Sequence, residues 1–233
     1  MRVLAVGAHP DDLELLCAGT LARFKAQGAE IFMAYLCTGD KGHFEIPGPE
    51  LAEMRKKEAA ESAKVLEAQI RGGIAPDLEL YHNAETVGAV IDLVRWARPD
   101  LILTHAPNDY MVDHYTTSQI VVAASFTASL PNYQSELPAI PQVPALFFMD
   151  TLGGFNFQPT EYVDITEVME TKEKMLLCHQ SQYKWLWEHD KIDYVEFMRK
   201  LAAFRGLQCG VPYAEGFQQY LVFGRVRPQR LLP

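Results

Sequence analysis

The stretch MRVLAVGAHPDDLELLCAGT, residues 1–20, determines how the rest of the chain is interpreted. Residues 2–8 are a short apolar run with β-branched members, which is typical of a buried strand. The run stops at residues 9–12, His-Pro-Asp-Asp, and the apolar residues beyond it recur every three or four positions, which predicts a helix. Three polar side chains that can bind a metal or move a proton therefore follow the carboxyl end of the first strand. Ligands bind at that end in open α/β sheets.

The spacing within this motif separates two chemical roles. His9 and Asp12 are three residues apart, so in a turn or helix their side chains point the same way. Asp11 lies between them and points elsewhere, which suits two metal ligands and one carboxylate left free to act as a base. Pro10 stiffens the turn because it fixes its own φ and restricts the residue before it. The alternative is a loop in which Asp12 caps the helix and His9 is a surface residue.

A second polar cluster supplies a candidate third ligand. A catalytic zinc site needs three protein ligands and one open position for water. Residues 108–114, Asn-Asp-Tyr-Met-Val-Asp-His, follow another predicted strand at residues 100–105. Two clusters of histidine and carboxylate, each placed after a strand, favour a shared metal site over a chance loop motif.

The composition excludes several classes of protein. A chain of 233 residues with 48% hydrophobic and 22% charged residues can bury a sizeable globular core. The net charge of −9 argues against nucleic acid and anionic membranes as partners. Neither a signal peptide nor a membrane-spanning run is recognised. The cysteines form no CxxC pattern, and Cys17 and Cys37 lie in apolar segments, so we expect free thiols and a cytoplasmic location.

Predicted strands alternate with predicted helices along the chain. Strands are predicted at residues 2–8, 30–38, 100–105, 145–150 and 162–166, with a short one within 70–80, and helices at 50–69, 84–97, 114–129, 167–179 and 193–207. This alternation predicts a single α/β domain over residues 1–233, with a Rossmann-like, mostly parallel sheet and helices on both faces. The first strand is followed by GAHPDD instead of GxGxxG, which argues against a nicotinamide enzyme.

Four stretches carry a resemblance to a known family. AHPDDLELLCAGTL, residues 8–21, resembles the opening motif of the LmbE/PIG-L family of zinc-dependent N-acetylglucosamine deacetylases. THAPNDYMVDHYTTSQIV, residues 104–121, resembles the second motif of that family. YVDITEVMETKEKMLLCHQSQY, residues 162–183, and AEGFQ, residues 214–218, resemble its C-terminal motifs. The resemblance covers most of the chain, in order.

The resemblance implies a reaction and a set of roles. It implies a hydrolase that removes an N-acetyl group from a small N-acetylglucosamine-type conjugate with the help of Zn2+. It assigns His9, Asp12 and His114 as the zinc ligands and Asp11 as the general base. Arg55, in an Arg-x-x-Glu pattern, would contact the substrate. Family members are often trimers or hexamers, so a homo-oligomer is expected.

Two further residues are placed beside the site. His179 falls in a His-Gln-Ser-Gln sequence that matches a family motif, and we interpret it as a support of the site wall. Asp113 precedes the metal histidine and either orients a neighbouring side chain, as carboxylates behind metal ligands do, or caps the following helix. His105, at the end of its strand, is interpreted as a structural histidine.

Two places depart from the family pattern: residues 81–83, Tyr-His-Asn, where the family usually has Pro-Asp-Gly for a sugar-hydroxyl contact, and the position of Met111. The family motif commonly reads His-Pro-Asp-His, and its first histidine helps to stabilise the oxyanion, but this chain has Met111, which cannot donate a hydrogen bond. Losing one oxyanion donor typically costs on the order of 10²–10³ in rate. Tyr110, His82 and His179 are candidate substitutes. The alternative function is therefore a catalytically weak or inactive sugar- or metal-binding protein on the same scaffold.

Overall fold

The computed structural model of the protein describes residues 1–225 and 232–233. Seven strands belong to one sheet in this part of the chain: β1 (Arg2–Gly7), β2 (Glu30–Cys37), β3 (Gln69–Ala75), β4 (Leu101–Thr104), β5 (Ala145–Met149), β6 (Glu161–Asp164) and β7 (Ala214–Gln219). Their order across the sheet is β3-β2-β1-β4-β5-β7-β6. β1 to β5 pair in parallel, whereas β7 is antiparallel to both β5 and β6. The predicted mostly parallel sheet is confirmed.

Helices cover both faces of this sheet, as predicted. The described residues form α1 (Asp12–Leu16), α2 (Ala18–Ala26), α3 (Gly48–Val65), α4 (Ala84–Ala97), α5 (Val112–Thr127), α6 (Met169–Leu176), α7 (Gln180–Trp185) and α8 (Tyr194–Cys209). Alternate side chains of a strand point to opposite faces, so β1 contributes to two cores. Val3 and Ala5 pack in the core with α1, α2, α3, α6 and α8, and Leu4 and Val6 pack in the core with α4 and α5.

The path of the chain creates a crevice at the carboxyl end of β1. From β1 the chain runs outward through β2 to β3, and it then returns to β4 on the opposite side of β1. Ligands bind at such a reversal in open α/β sheets, because the loops that leave the two central strands diverge there. This reversal brings residues 8–12 beside residues 105–114.

The first helix divides at Cys17 into α1 and α2. Cys17 has φ −145°, outside the helical range. The carboxylate of Glu215 in β7 accepts hydrogen bonds from the backbone N–H groups of Gly19 at 2.9 Å and Thr20 at 2.7 Å. A helix start with two satisfied N–H groups and a nearby negative charge is stabilised. The buried ammonium of Lys172 in α6 pairs with the same carboxylate, so Glu215 joins β7 to both α2 and α6.

The predicted helix at residues 167–179 is shorter in the structure. A 3₁₀ turn at Thr166–Val168 precedes α6, which ends at Leu176. His179 leaves the helical range, with φ −85° and ψ 61°, and its fully buried side chain lies beside Glu14. The chain then begins α7, which was not predicted. Within residues 1–225 and 232–233, no helix combines the length and the apolarity needed to cross a membrane.

Candidate metal centre and pocket

The loops after β1 and β4 bring three candidate ligands into contact. Ligand atoms of His9, Asp12 and His114 lie within 4.8 Å of one another. Nδ1 of His9 is 3.6 Å from Oδ2 of Asp12, and Nε2 of His114 is 3.3 Å from Oδ1 of the same carboxylate. Asp12 does not cap a helix, since its Oδ2 accepts a hydrogen bond from the backbone N–H of His9 at 2.7 Å. Two imidazoles and one carboxylate are a ligand set that zinc uses in catalytic sites.

Each of the two histidines is held by a second carboxylate. Nε2 of His9 lies 3.1 Å from Oδ2 of Asp113, and Nδ1 of His114 lies 3.0 Å from Oδ2 of Asp109. The other ring nitrogen of each histidine therefore faces Asp12. Nε2 of His114 is buried and has no hydrogen-bond partner among the residues that the structure describes. An unsatisfied imidazole nitrogen backed by a carboxylate is the arrangement found behind metal ligands, so the residues fit a divalent cation.

The electrostatics of the cluster favour positive charge. Burial opposes protonation of His9, but its hydrogen bonds to Asp113 and Asp12 outweigh this effect and raise its pKa to about 10. Burial also opposes protonation of His114, and the attraction of Asp12 outweighs it and raises the pKa of His114 to about 9. The carboxylates that raise these two pKa values also attract a metal cation. A cation that binds here therefore competes with protons.

Two further sets of residues share a histidine with this cluster and also have potential metal-ligand atoms close together. Nε2 of His105 accepts a hydrogen bond from the backbone N–H of Ala8 at 3.0 Å, and its ring stacks on His114 at 3.9 Å between centroids. Burial lowers the pKa of His105 to about 4, so it stays neutral. Nε2 of His105 also lies 3.1 Å from Oδ2 of Asp12, and His105, Asp109 and His114 are near enough to share a metal. The other set is His9, Cys37 and Asp77, whose potential ligand atoms also lie within 4.8 Å of one another.

Asp11 is held in an unusual backbone conformation beside this cluster. Its φ of 127° is rare for a residue with a side chain, and such strain persists only where the surroundings enforce it. Nη2 of Arg55 donates to Oδ2 of Asp11 at 2.9 Å and to the carbonyl of Pro10 at 2.5 Å. Burial raises the pKa of Asp11, although the Arg55 guanidinium acts in the opposite direction. Arg55 also lines the pocket; its Nη1 donates to the carbonyl of Gly39 at 3.3 Å, and its buried Nε has no partner among the residues that the structure describes.

The predictions for Asp113 and His179 remain proposals about function, but their contacts are defined. Asp113 lies in the first turn of α5, and its Oδ2 accepts from the backbone N–H of Leu78 at 2.8 Å as well as facing His9. Nε2 of His179 lies 3.3 Å from Oε1 of the fully buried Glu14. His179 therefore lies outside the lining residues and contacts the carboxylate of Glu14, which follows the His-Pro-Asp-Asp motif.

The candidate oxyanion donors occupy different places. Tyr110 lines the pocket beside Met111, whereas His82 is exposed and lies outside the lining residues. Tyr194, which was not singled out from the sequence, also lines the pocket, and its hydroxyl lies near the Asp11 carboxylate. Burial and the Asp11 charge raise the pKa of Tyr194 well above its usual value, so it stays a donor. It is the first residue of α8, where no sequence motif marks it.

A pocket of about 730 Å³ opens over the candidate metal centre. This volume lies within the range of small-molecule sites. Asp11, His9 and His114 belong to the lining, and residues from the loops after β2, β3, β4 and β5 and from the C-terminal helices complete it. The arrangement can hold a cation, a base and a hydroxyl donor around one small molecule.

Comparison with known proteins identifies relatives with the same arrangement of elements. The family model PIG-L, described as GlcNAc-PI de-N-acetylase, matches residues 4–125. A diacetylchitobiose deacetylase of Thermococcus kodakarensis is 29% identical over 231 residues, covering 93% of this chain and 82% of the relative. The structure of N,N'-diacetylchitobiose deacetylase from Pyrococcus horikoshii superposes with a TM-score of 0.82 at 28% identity, over 93% of this chain and 82% of that one.

A third likeness concerns the fold alone. The crystal structure of GalB, a 4-carboxy-2-hydroxymuconate hydratase from Pseudomonas putida KT2440, has a TM-score of 0.84 at 22% identity, covering 99% of this chain and 100% of GalB. One scaffold therefore accommodates more than one reaction, and the reaction must be argued from the site.

Proposed function

Since this chain belongs to the PIG-L family, described as GlcNAc-PI de-N-acetylase, we propose that it is a zinc-dependent hydrolase that removes the acetyl group from an N-acetylglucosamine-type conjugate. The observation that carries the proposal is the cluster of His9, Asp12 and His114 beside the separately held carboxylate of Asp11. The relatives described above are deacetylases of an acetylated amino sugar, which supports the same bond as the target here. We further propose that residues 1–233 act as one domain.

Zinc is the proposed metal, with His9, Asp12 and His114 as its ligands. A bound zinc ion lowers the pKa of a coordinated water and polarises a carbonyl. Asp109 and Asp113 fix the ring orientation of the two histidines, since each contacts the nitrogen that faces away from Asp12.

Asp11 is the proposed general base. Its carboxylate lies at the pocket, and burial raises its pKa, so it accepts a proton more readily than an exposed aspartate. In the proposed reaction Asp11 takes the proton of the attacking water and later returns it to the leaving amine. Arg55 keeps the carboxylate in place, and Tyr194 donates a hydrogen bond to it or to the substrate oxygen.

An acetate-release screen tests the proposal. The zinc-loaded protein is incubated with N-acetylated amino sugars, and acetate and free amine are measured together. We expect equal amounts of both products, loss of activity on removal of the metal with a chelator, and recovery on adding zinc. No product from any acetamido sugar, with zinc bound and the fold intact, would contradict the proposal.

Met111 motivates a second candidate function. A sugar- or metal-binding protein with weak or no catalysis would keep the metal cluster and bind acetamido sugars without releasing acetate. Calorimetry on the same panel of sugars separates the two functions, because binding without product favours the second.

A Met111→His variant is expected to raise kcat, by less than the 10²–10³-fold that a well-placed oxyanion donor supplies. Met111 lines the pocket just before α5, so an imidazole there adds a donor near the candidate metal ligands. The gain is limited because Asp113 already contacts His9 and Leu78 and is not free to orient the new ring. The interaction forms as charge develops, so kcat should change more than KM.

The measurement is kcat on the best acetamido sugar for wild type, Met111→His and the control Met111→Leu, which changes shape without adding a donor. A kcat for Met111→His no higher than that of the control, with metal content and fold unchanged, would show that another group already supplies the hydrogen bond. Tyr110→Phe would then be the next variant, because Tyr110 shares the pocket wall.

A further inference from the structure

The mouth of the pocket is lined by large apolar and aromatic side chains that are exposed. We call them the apolar rim: Leu78, Tyr110, Val112, Phe155 and Ile192. Leu78 is 62% exposed and Phe155 is 68% exposed, so neither is buried by the rest of the chain. Single exposed apolar residues are ordinary, but several around one opening mark a binding surface.

The backbone at Phe155 is held by a hydrogen bond, while its ring is exposed. Its carbonyl accepts a hydrogen bond from Oγ1 of Thr151 at 2.6 Å. The ring lies against Gly153, where a Cβ would approach it to 2.9 Å, and Gly153 has φ 72°. The glycine therefore permits both the turn and the close approach of the ring. The loop backbone is thus held in a defined turn, and the ring of Phe155 lines the pocket.

Leu78 occupies a backbone conformation that leucine seldom adopts. Its φ is 63°, in the left-handed region, and its N–H donates to Oδ2 of Asp113 at 2.8 Å. Asp113 also faces His9, so the strained turn and the candidate metal centre share one carboxylate. Strained residues of this kind cluster at functional sites. The result is an apolar side chain held at the pocket mouth by a carboxylate of the metal centre.

Two polar side chains at the pocket wall, Lys41 and Gln182, already donate hydrogen bonds within the chain. Nζ of Lys41 donates to the carbonyl of Asp77 at 2.7 Å and to Glu79 at 3.0 Å. Nε2 of Gln182 donates to the carbonyl of Gly42 at 3.1 Å. A chain of further sugars would need free donors and acceptors for its hydroxyl groups, and the rim offers mainly apolar area instead.

We infer that the conjugate carries an apolar group, aryl or alkyl, on the sugar, and that this group packs on the apolar rim. The inference rests on the proposed function and specifies its substrate class. A pocket of about 730 Å³ has room for such a group beside one acetamido sugar. Burial of an aryl or hexyl group against the rim predicts a gain of about 10–100-fold in kcat/KM over the unsubstituted sugar.

The test compares four substrates with the zinc-loaded protein: N-acetylglucosamine, N,N'-diacetylchitobiose, and the phenyl and hexyl N-acetyl-β-glucosaminides. We expect the phenyl and hexyl compounds to exceed the other two, mainly through a lower KM. Equal or higher kcat/KM for diacetylchitobiose would overturn the inference and leave the proposed function standing. Absence of acetate from all four would instead contradict the proposed function.

A substitution at Phe155 tests whether the apolar rim causes the preference for apolar conjugates. Phe155→Ser is expected to reduce the ratio of kcat/KM for the phenyl compound to that for N-acetylglucosamine, by about tenfold. The matched control is Leu207→Ser, an exposed α8 position outside the pocket lining, which should leave the ratio unchanged. A lower mass by light scattering for Phe155→Ser, with an unchanged ratio, would identify the rim as a subunit interface and overturn the inference.

A binding measurement on the wild-type protein keeps the inference testable if the variant fails to fold. Calorimetry compares the binding of glucosamine and of phenyl β-glucosaminide. These are the amine products of N-acetylglucosamine and of the phenyl compound. Binding of the phenyl product at least about tenfold tighter is expected, and equal affinities would overturn the inference.

Discussion

An Asp11→Asn variant is expected to retain its metal and to lose about 10²–10⁴-fold in kcat, the usual contribution of a general base. The amide has the shape of the carboxylate but cannot accept the proton of the attacking water. The local structure should survive, because the amide oxygen can still accept the hydrogen bond from Arg55, and asparagine tolerates positive φ better than most residues.

Acetate release and metal content must be measured on the same preparation of the variant. Asp92→Asn is the matched control, since this exposed carboxylate lies on α4 outside the pocket lining. Loss of metal from Asp11→Asn would show that Asp11 is a ligand and that the proposed division of roles is wrong. Unchanged kcat would assign the base to another group.

A His9→Ala/His114→Ala double variant is expected to lose both metal and detectable turnover. Wild type should carry about one zinc per chain, as a three-ligand catalytic site does. Removing two imidazoles leaves Asp12 as the remaining proposed ligand, and the carboxylates around it lose the partners that hold them. The effect should exceed that of any single base or donor, because every step of the proposed reaction needs the metal.

Metal analysis and thermal unfolding with added zinc check this prediction without an activity assay. Zinc should raise the Tm of wild type, because it binds the folded state, and should leave that of the double variant unchanged. His82→Ala/His189→Ala removes two exposed histidines as a control and should behave as wild type. Full metal content in the His9→Ala/His114→Ala protein would contradict the ligand assignment.

The placement of both motifs at one edge of the sheet was predictable from the parallel strands, whereas the adjacency of β1 and β4 that brings them into contact is a finding of the structure. Apolar runs predicted β1 and β4, and the α/β rule places polar residues after such strands at one edge of the sheet. His9, Asp12 and His114 satisfy both conditions although about one hundred positions separate them. The spacing of three and the position after a strand indicated a possible metal site, and the family resemblance supplied the assignment of the three ligands.

The supporting contacts were not predictable from the chain alone. Sequence analysis offered Asp113 as an orienting residue but did not say which ring it contacts, and it did not single out Asp109 from the same loop. Which carboxylate faces which imidazole depends on side-chain positions in a turn with no regular period. Tyr194 approaches Asp11 from a helix more than 180 residues later, so local patterns carry no signal for that contact.

The division of the first helix at Cys17 was not predictable from the sequence either, because it also depends on a distant contact. The apolar residues continue their helical spacing across it, so periodicity predicts one helix. The break is stabilised by Glu215, which reaches the N–H groups of Gly19 and Thr20 from the last strand of the sheet. A tertiary contact of this range overrides a local preference.

The placement of the apolar rim has a consequence for how this enzyme can diversify. The proposed ligands and Asp11 all lie within residues 4–125, which the family model matches, whereas two of the five rim residues, Phe155 and Ile192, lie beyond that segment. Substitutions in the later loops can therefore alter which conjugate is admitted while the bond-breaking groups stay untouched. Loops on a fixed scaffold tolerate such change well. A library confined to residues 152–156 and 186–192 should redirect selectivity at little risk to turnover.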